Sequence, residues 1–396
     1  MRAVVMLAAL SLLSGGCHAG DPDPAVVTRN TPEASQSTAT PGAGGILGVA
    51  TTAMPTPRAA HSATRLADGR VLLAGGCAAV GCEEGISGDA ILFDPAANAF
   101  VPTGKLRQAR VGHRAIALAD GSVLLIGGWT ADGVTASVER FTPTTGRFEA
   151  AGRMLQARDG FSANLLADGS VLIAGGYGDG MRRLASAERY DPATGRSRTI
   201  GAMSMERMSH TATALPDGRV LVAGGSRSSQ EVVASLEIFN PATDTFSPAG
   251  TMARARHKHA AVAVGDRVLL LGGAAIPEAS GHFRDSEWWH AGKVVPGPSM
   301  AEGRYKFLDA ALAWGDGTVL VAGSGRNAEL LGAGDDSFNP VEGAFDIKLA
   351  FATATLLADG RVLVAGGYDP DIRPSTHAWL LSREPASPER HATLSD

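Results

Sequence analysis

One pattern of polar and apolar positions returns along most of the chain. Its first clear copy contains the alternating "HSATRL", the dipeptide "DG", the almost wholly apolar "RVLLA" and the pair "GG". Asp-Gly favours a two-residue hairpin turn because both residues tolerate positive φ. A short apolar run between turns predicts a strand that is covered on both faces. Segments such as "SVERF" and "RFEAAG", which flank the turn "TPTTG", predict two further strands, so each copy predicts four antiparallel strands.

The pattern occurs seven times, about every fifty residues. In two copies it is degenerate, with an inverted Gly-Asp turn at 265–266 and Gly-Ser in place of Gly-Gly at 323–324. No segment sustains a helical period, so we expect few helices. Four-stranded units with small residues in the first strand and sandwiched apolar residues in the second are typical of propeller blades. The first glycines of the pairs are Gly75, Gly127, Gly175, Gly224, Gly272, Gly323 and Gly366.

The N-terminal segment predicts how the ring closes. A Met/Leu-x-x-x-Arg frame precedes the first strand in six copies, and "GILGVATTAMPTPRAAH" fits it with Met54 and Arg58. This segment has no blade of its own, and the seventh copy has no convincing fourth strand after "STHAWLL". We therefore predict that residues 46–52 complete the last blade and remove its open edge.

The period, the Gly-Gly pair and the third-strand "YDP" resemble the kelch repeat, and the resemblance covers nearly the whole folded region. It implies an all-β, seven-bladed kelch-type β-propeller with four antiparallel strands per blade, the last one closed by an N-terminal strand. Kelch units often carry Trp in the fourth strand, where this chain has Phe100, Phe148 and Phe246. Galactose oxidase-like propellers use two Tyr, two His and a Tyr-Cys crosslink to bind copper. Four Tyr and no spare Cys make that site unexpected here, and we expect no metal or other cofactor.

The N-terminus resembles a bacterial lipoprotein signal peptide. "MRAVVMLAALSLLSGGC" has a basic residue, a short apolar stretch and small residues before Cys17, which would be lipidated. An ordinary cleaved signal is the alternative. We assign residues 1–17 to the signal peptide, 18–44 to a flexible Pro/Ser/Thr-rich tether, 45–382 to the propeller and 383–396 to a disordered tail. The protein is then exported to the bacterial cell envelope, as an outer-membrane-anchored lipoprotein or in the periplasm.

Composition narrows the partners. The 396 residues carry a formal net charge of -5, so no basic field attracts nucleic acid. Nothing after residue 20 is apolar for long enough to cross a bilayer, and we expect membrane contact through the lipid anchor only. We also expect a monomer. Cys77 and Cys82 predict a disulfide within the first blade; a metal pair is the alternative, but no further ligands lie nearby in sequence.

A series of arginines recurs before the first strands. A ring of guanidiniums at a channel mouth could bind an anion, whereas pairing with recurrent third-strand glutamates would make the series an Arg-Glu ladder between blades. We favour the ladder. Three residues after each arginine stand four histidines and two phenylalanines. The arginines are Arg58, Arg110, Arg158, Arg207, Arg256 and Arg304, and the glutamates are Glu139, Glu188, Glu237, Glu287 and Glu329.

The loops between strands two and three vary most in length and chemistry. They lie on one face with the 4-1 loops, so we predict that this face binds a protein or a carbohydrate. Such a binding or scaffolding module is our first hypothesis; a carbohydrate-active enzyme, a sugar oxidase or an acid-sugar epimerase, with a site at the channel mouth is the alternative. "HKH" at 257–259 and the His282, Trp288, Trp289 and His290 group could hold a sugar or a metal, but packing is the simpler interpretation. The candidate contacts are Trp129, Tyr177, Arg182, Arg183, Arg227 and Tyr368.

Overall fold

The computed structural model describes residues 46–50, 53–82, 84–276, 281–341, 345 and 347–383. The predicted signal peptide with Cys17, the tether 18–44 and residues 384–396 of the tail lie outside the described residues. Seven sheets of four antiparallel strands form seven blades, which confirms the predicted all-β propeller. The first strands of neighbouring blades contact one another in a closed circle around a central channel.

Blades one to four follow the chain in order. Blade one contains β2 (Ser62–Arg65), β3 (Val71–Ala74), β4 (Ala90–Asp94) and β5 (Ala99–Pro102). Blade two contains β6 (Arg114–Ala117), β7 (Val123–Ile126), β10 (Ser137–Thr142) and β11 (Arg147–Arg153), with the small hairpin β8 (Trp129–Thr130) and β9 (Gly133–Val134) in its 2-3 loop. Blade three contains β12 (Ser162–Leu165), β13 (Val171–Ala174), β14 (Ala187–Asp191) and β15 (Arg196–Thr199), with a 3-10 turn at Asp179–Met181. Blade four contains β16 (Thr211–Ala214), β17 (Val220–Ala223), β18 (Ser235–Asn240) and β19 (Thr245–Thr251).

The last three blades complete the circle. Blade five contains β20 (Ala260–Val264), β21 (Arg267–Leu271), β22 (Ser286–His290) and β23 (Lys293–Gly297). Blade six contains β24 (Ala311–Ala313), β25 (Val319–Val321), β26 (Ala328–Leu331) and β27 (Asn339–Val341). Blade seven contains β28 (Thr353–Leu356), β29 (Val362–Ala365), β30 (Ala378–Arg383) and, as its outer strand, β1 (Ile46–Ala50).

The N-terminal strand closes the ring as predicted. β1 pairs antiparallel with β30, from Ile46 opposite Arg383 to Ala50 opposite Trp379. Arg383, which the sequence assigns to the tail, therefore belongs to the last strand. β1 covers an edge that would otherwise expose unpaired backbone groups. No helix among the described residues has the length and apolar character needed to cross a membrane.

The core is divided among the blade interfaces. The second strands, such as Val71–Ala74 and Val171–Ala174, are buried along their whole length because a blade packs on each face. Seven hydrophobic clusters each join two neighbouring blades; Val71 of blade one, for example, packs in the same cluster as Leu363 of blade seven. The fourth-strand phenylalanines pack on third-strand phenylalanines, as Phe148 does on Phe141 with ring centroids 4.8 Å apart. Aromatic packing is thus kept without Trp.

The Gly-Gly pairs permit the blades to approach one another. At each of the seven interfaces the second residue of the pair donates its N–H to a carbonyl of the next blade, from Gly76 to Arg110 through to Gly367 to Arg58. Gly175 has φ +66°, and a Cβ there would lie 2.6 Å from the Arg207 carbonyl oxygen. Only glycine satisfies both the backbone conformation and the close contact.

Candidate functional site

The recurrent arginines are structural. All six are buried, and five form ion pairs with the recurrent glutamates. Each pair lies within one blade, which corrects our expectation of a ladder between blades. The arginines therefore do not form an anion-binding ring around the channel. The pairs are Arg110–Glu139 at 2.7 Å, Arg158–Glu188 at 2.9 Å, Arg207–Glu237 at 2.7 Å, Arg256–Glu287 at 2.8 Å and Arg304–Glu329 at 2.6 Å.

Arg158 shows how these pairs hold the fold together. Its guanidinium donates to the carbonyls of Gly175 and Ser186 and to the Glu188 carboxylate, while Glu188 also accepts the N–H groups of Leu155 and Gln156. Burial lowers the pKa of Arg158, and Glu188 opposes that shift. The Arg158 carbonyl accepts from Gly128 of the preceding blade. One residue thus ties the 4-1 loop to its own blade and to the blade before it.

Two blades depart from this pattern in informative ways. In blade one, Ile91 occupies the glutamate position; Arg58 donates to Thr56 Oγ1 at 3.0 Å instead, and burial lowers the pKa of Arg58 to about 10. In blade seven, Leu349 replaces the arginine and Trp379 replaces the glutamate, and the two belong to one hydrophobic cluster. Both positions of the ion pair are therefore apolar in blade seven, so neither charge is left without a partner there.

The histidines that stand three residues after the recurrent arginines link neighbouring blades. Their Nε2 atoms hydrogen-bond to a Ser or Thr at the start of the preceding blade's first strand. Phe161, Phe307 and Ala352 replace the histidine where that hydroxyl is missing. Burial holds the pKa of each histidine far below its usual value, to about 3 for His113, so the imidazoles are neutral. The pairs are His61–Thr353 at 3.2 Å, His113–Ser62 at 2.9 Å, His210–Ser162 at 2.9 Å and His259–Thr211 at 3.0 Å.

A ring of backbone hydrogen bonds surrounds the channel mouth. The seven residues two positions after the Arg frame all have positive φ, and the N–H of one donates to the carbonyl of the preceding one at six of the seven interfaces. The hydrogen bond that is missing from this ring is the one from the Gly160 N–H to the Gly112 carbonyl. There the Asp159 carboxylate occupies the gap, and Gly160 hydrogen-bonds to it. The ring residues are Ala60, Gly112, Gly160, Ser209, Lys258, Lys306 and Phe351.

A cavity opens inside this ring, on the face of the 2-3 and 4-1 loops. Its wall from blades seven, one and two is mainly apolar, and its remaining wall, from blades three to five, is more polar. The apolar wall contains Phe351, Ala60, Ile86, Val111 and Trp129, and the other contains Asp159, Tyr177, Met208, Ser209 and Lys258. Residues that break the repeat thus meet where the seven blades converge.

Asp159 and Tyr177 form the most distinctive polar pair of the cavity. The Tyr177 hydroxyl donates to Asp159 Oδ2 at 2.7 Å, and the two backbones also pair with each other. Burial raises the pKa of Asp159, and burial together with the neighbouring carboxylate raises the pKa of Tyr177. Tyr177 contacts Trp129 with ring centroids 6.2 Å apart. The pair can accept a hydrogen bond or a proton from a bound molecule.

An ion pair across the channel forms the floor of the cavity. Arg114 of blade two donates to the Asp309 carboxylate at 3.1 and 3.2 Å and to the Phe161 carbonyl at 3.0 Å. Asp309 reaches the channel because it and Leu308 are two extra residues between Phe307 and Ala310 of blade six. Both charged residues line the mouth cavity and the channel below it.

The six candidate contacts separate into two groups. Trp129 and Tyr177 line the cavity, and Arg182 is exposed beside it in the 2-3 loop of blade three. The other three do not line the cavity: Arg183 donates to the Met181 carbonyl, Arg227 pairs with Glu206 and Glu231, and Tyr368 is buried in the apolar cluster beside it.

The group in blade five is divided: His282 packs on Tyr305, whereas Trp288, Trp289 and His290 do not share one site. Successive side chains of β22 point to opposite faces. The Trp289 indole donates to Ala249 inside the blade interface, whereas Trp288 lies under the Arg267 guanidinium and His290 bonds to Asp266. The "HKH" segment precedes the strand, and its imidazoles diverge: His259 bonds to Thr211, and His257 packs on Tyr305.

Sequence reasoning missed Asp159, Lys258, Arg114 and Asp309. The signal that could have found three of them is positional, because they occupy the otherwise variable frames next to the recurrent Arg and His. Cys77 and Cys82 form a disulfide whose residues pack in the apolar cluster beside the cavity.

The architecture and its repeats define the class of protein. The chain is a seven-bladed β-propeller. Residues 207–253, which span blade four, match the Kelch motif.

Two solved structures share the fold. A fungal alcohol oxidase of the AA5 family in complex with copper is similar with a TM-score of 0.67 and 17% identity, covering 87% of this chain and 77% of that one. YjhT is similar with a TM-score of 0.59 and 12% identity, covering 73% of this chain and 99% of that one. No curated protein matches the sequence significantly. Similarity at these sequence identities shows the fold alone, so function has to be argued from the residues of the site.

The residues present do not fit a radical-copper site. Such a site needs a Tyr-Cys crosslink, and Cys77 and Cys82 are joined to each other. The Tyr177 hydroxyl is bonded to Asp159, and that of Tyr190 to the Ala151 carbonyl. Among the described residues, no three His, Cys, Asp or Glu side chains are grouped to hold a metal ion. We derive no chemistry through copper for this chain.

Proposed function

We propose that the protein is an exported, lipid-anchored binding module that takes its ligand at the channel mouth. The observation that carries this proposal is the mouth cavity itself, because the polar and aromatic residues that break the repeat meet there. The arginine series is buried in ion pairs and the histidine series links neighbouring blades, although His61 and His113 also line the cavity. Loops on a rigid scaffold are common binding sites, and the 2-3 loops supply Ile86, Trp129 and Tyr177 to this one.

Variants on the two faces test the proposed site. Ligand-observed NMR with a panel of monosaccharides and short peptides identifies binders of the wild-type protein. Trp129→Ala removes an aromatic wall of the cavity and should weaken them at least tenfold. Substitution of Ala193 and Thr194, which are exposed in the 3-4 turn of blade three on the opposite face, is the control and should leave binding unchanged. Binding that survives Trp129→Ala but is lost in the turn variant would place the site on the other face.

Anchoring is tested separately at Cys17. We expect acylation of Cys17 to carry the propeller to the cell envelope on the tether 18–44, through a short apolar signal followed by small residues. Cys17→Ser should release the protein from the membrane fraction, and intact mass should show loss of the acyl groups. A wild-type N-terminus without acyl mass would contradict the anchor and leave the mouth site untouched.

A carbohydrate-active enzyme is the second candidate. Asp159 favours it, since a carboxyl with a raised pKa at a cavity wall can exchange a proton with a bound molecule. NMR of the binding sugars over time tests this candidate directly. Conversion that stops in Asp159→Asn would support catalysis, and binding without conversion would support the module alone.

A further inference from the structure

Asp159 carries a carboxylate without a counter-ion among the described residues. Its hydrogen bonds come from neutral groups, the Tyr177 hydroxyl and the Gly160 N–H. The Arg114 charge favours the ionised form of Asp159, but its guanidinium pairs with Asp309, and Arg183 donates to the Met181 carbonyl. Burial of a carboxylate without an ion-pair partner of its own is unfavourable, and the raised pKa of Asp159 reflects that cost.

The local backbone is shaped to present this carboxylate. Gly112 has φ +69°, and a Cβ there would collide with the Asp159 Oδ1 atom. Gly160, on the other side, also has positive φ. The two glycines stand at the one interface where the backbone ring is broken, so the side chain replaces a hydrogen bond that the other interfaces keep.

Aromatic and apolar side chains line the cavity on one side of the carboxylate. Trp129 and Tyr177 lie beside it, and Ala60, Val111 and Phe351 continue the wall towards blade seven. Aromatic faces attract cations, most strongly where water is excluded. A carboxylate next to such faces matches a positive charge on a hydrocarbon stem.

We propose that the mouth cavity binds an organic cation, a primary ammonium on an apolar stem, with Asp159 as its counter-ion and the Trp129 wall around the stem. This inference rests on the proposed function of the mouth as a ligand site and names the class of ligand. An anion would meet the Asp159 charge, and a polyol would leave the apolar wall unmatched. Lys258 also lines the cavity, from blade five, so the ammonium lies towards blades two and three.

The ammonium can belong to a free amine or to a lysine side chain, and both present the same chemistry. Three probes of equal length separate charge from shape: n-butylammonium, n-butanol and butyrate. Acetyl-Gly-Lys-Gly-amide is the fourth probe; tighter binding than n-butylammonium indicates a protein source, and weaker binding a free amine. Affinities are measured by chemical-shift titration of the labelled full chain.

We expect n-butylammonium to bind at least tenfold more tightly than n-butanol, and butyrate to bind most weakly. Asp159→Asn should reduce n-butylammonium to the affinity of n-butanol while leaving n-butanol unchanged. Asp132→Asn is the matched control, because Asp132 is an exposed acid in the 2-3 loop of blade two and removes the same charge from the same face. It should leave all affinities unchanged.

Unchanged n-butylammonium binding in Asp159→Asn would overturn the inference. If n-butanol or butyrate binds as tightly as n-butylammonium or more tightly, and Trp129→Ala weakens that binding, the cation assignment is overturned and the mouth remains the ligand site. If Trp129→Ala leaves the binding of every probe unchanged, both the cation assignment and the mouth as the ligand site are overturned. If Asp159→Asn fails to fold, acidification of the wild type replaces it: the preference for n-butylammonium over n-butanol must fall as Asp159 takes up a proton, and a constant preference would refute the role of Asp159.

Discussion

Leucine in place of Arg158 is the sharpest test of the arginine series. The substitution removes the guanidinium from a site where it is wholly buried. Glu188 then keeps only the N–H groups of Leu155 and Gln156, and the carbonyls of Gly175 and Ser186 lose a donor. The buried Glu188 carboxylate loses its counter-ion and the Gly175 carbonyl loses its Arg158 donor, whereas the Ser186 carbonyl keeps the Gly175 N–H; the uncompensated buried charge is the costly part of a broken ion pair.

Removing one partner of a buried ion pair costs about 3–5 kcal/mol. Domains are stable by about 5–15 kcal/mol, so the loss is a large fraction of the total. Each kcal/mol shifts the Tm of a domain of 150–250 residues by about 2–4 °C, and less in a larger one, so we expect a decrease on the order of 5–10 °C. Arg196→Leu is the control, since Arg196 is exposed in the same blade. It should change the free energy of unfolding by less than about 0.5 kcal/mol.

Blade seven supplies the second half of the test. Its Leu349 and Trp379 occupy the positions of Arg158 and Glu188, so the double variant Arg158→Leu/Glu188→Trp copies an arrangement that the fold already accepts. Replacing a buried pair by apolar residues is often nearly neutral. In urea denaturation the double variant should therefore be more stable than Arg158→Leu, with a coupling of at least about 2 kcal/mol. Additive losses, or an Arg158→Leu variant as stable as the wild type, would refute the reasoning.

Two other features of the interfaces give predictions. The free energy of unfolding should be constant above pH 7 and fall below about pH 6.5, because the linking histidines are neutral in the folded protein and take up protons on unfolding. Each histidine lowers the free energy of unfolding by up to about 1.4 kcal/mol per pH unit until the pH reaches its folded pKa, about 3 for His113. Urea denaturation at pH 5 and 7 measures this effect; His113→Phe should make the fall shallower, and equal stability at the two pH values would contradict the prediction. Gly175→Ala should lower the free energy of unfolding by several kcal/mol, because its Cβ would lie 2.6 Å from a carbonyl oxygen. Gly169→Ala is the control: Gly169 has φ +83° and open space around it, so the substitution should cost only backbone strain of about 1 kcal/mol. Equal Tm values for the two variants would show that the close approach is unimportant.

The fold could be predicted because its signals are local and repeated. Each blade contains its own "DG" turn, its buried second strand and its Gly-Gly pair, so seven weak patterns support one another. The closing strand was predictable because Met54 and Arg58 repeat the frame found before every complete blade but the last. These are statements about position along the chain, and the structure adds only the register, such as Ile46 opposite Arg383.

The partner of each arginine could not be predicted in the same way. In a periodic sequence, Arg158 stands at a regular distance from Glu139 of the preceding blade and from Glu188 of its own. These spacings alone do not distinguish the two, since Arg207 also stands between two glutamates, Glu188 and Glu237. The direction in which the 4-1 loop turns decides, and it brings Arg158 against Glu188.

The candidate site was less accessible for a related reason. Its residues come from blades far apart in sequence, and Arg114 and Asp309 meet only because the ring closes. Tyr368 lies in a variable loop, but its side chain is buried in the apolar cluster behind the cavity wall. Variation between copies therefore identifies the face of the molecule, but distances are needed to decide which variable residues share a cavity.

The linking histidines lie between these two cases. Every His in the frame follows, around the ring, a blade whose first strand begins with Ser or Thr, and His61 satisfies this rule only if blade seven precedes blade one. The rule is visible in the sequence once the ring is assumed, and it then supports the ring. The seam between blades seven and one also has the Gly367 to Arg58 and the Ala60 to Phe351 backbone bonds that the other interfaces have. The seam is therefore built like an ordinary interface, and the exceptional interface of this propeller is the one between blades two and three, where Asp159 interrupts the ring.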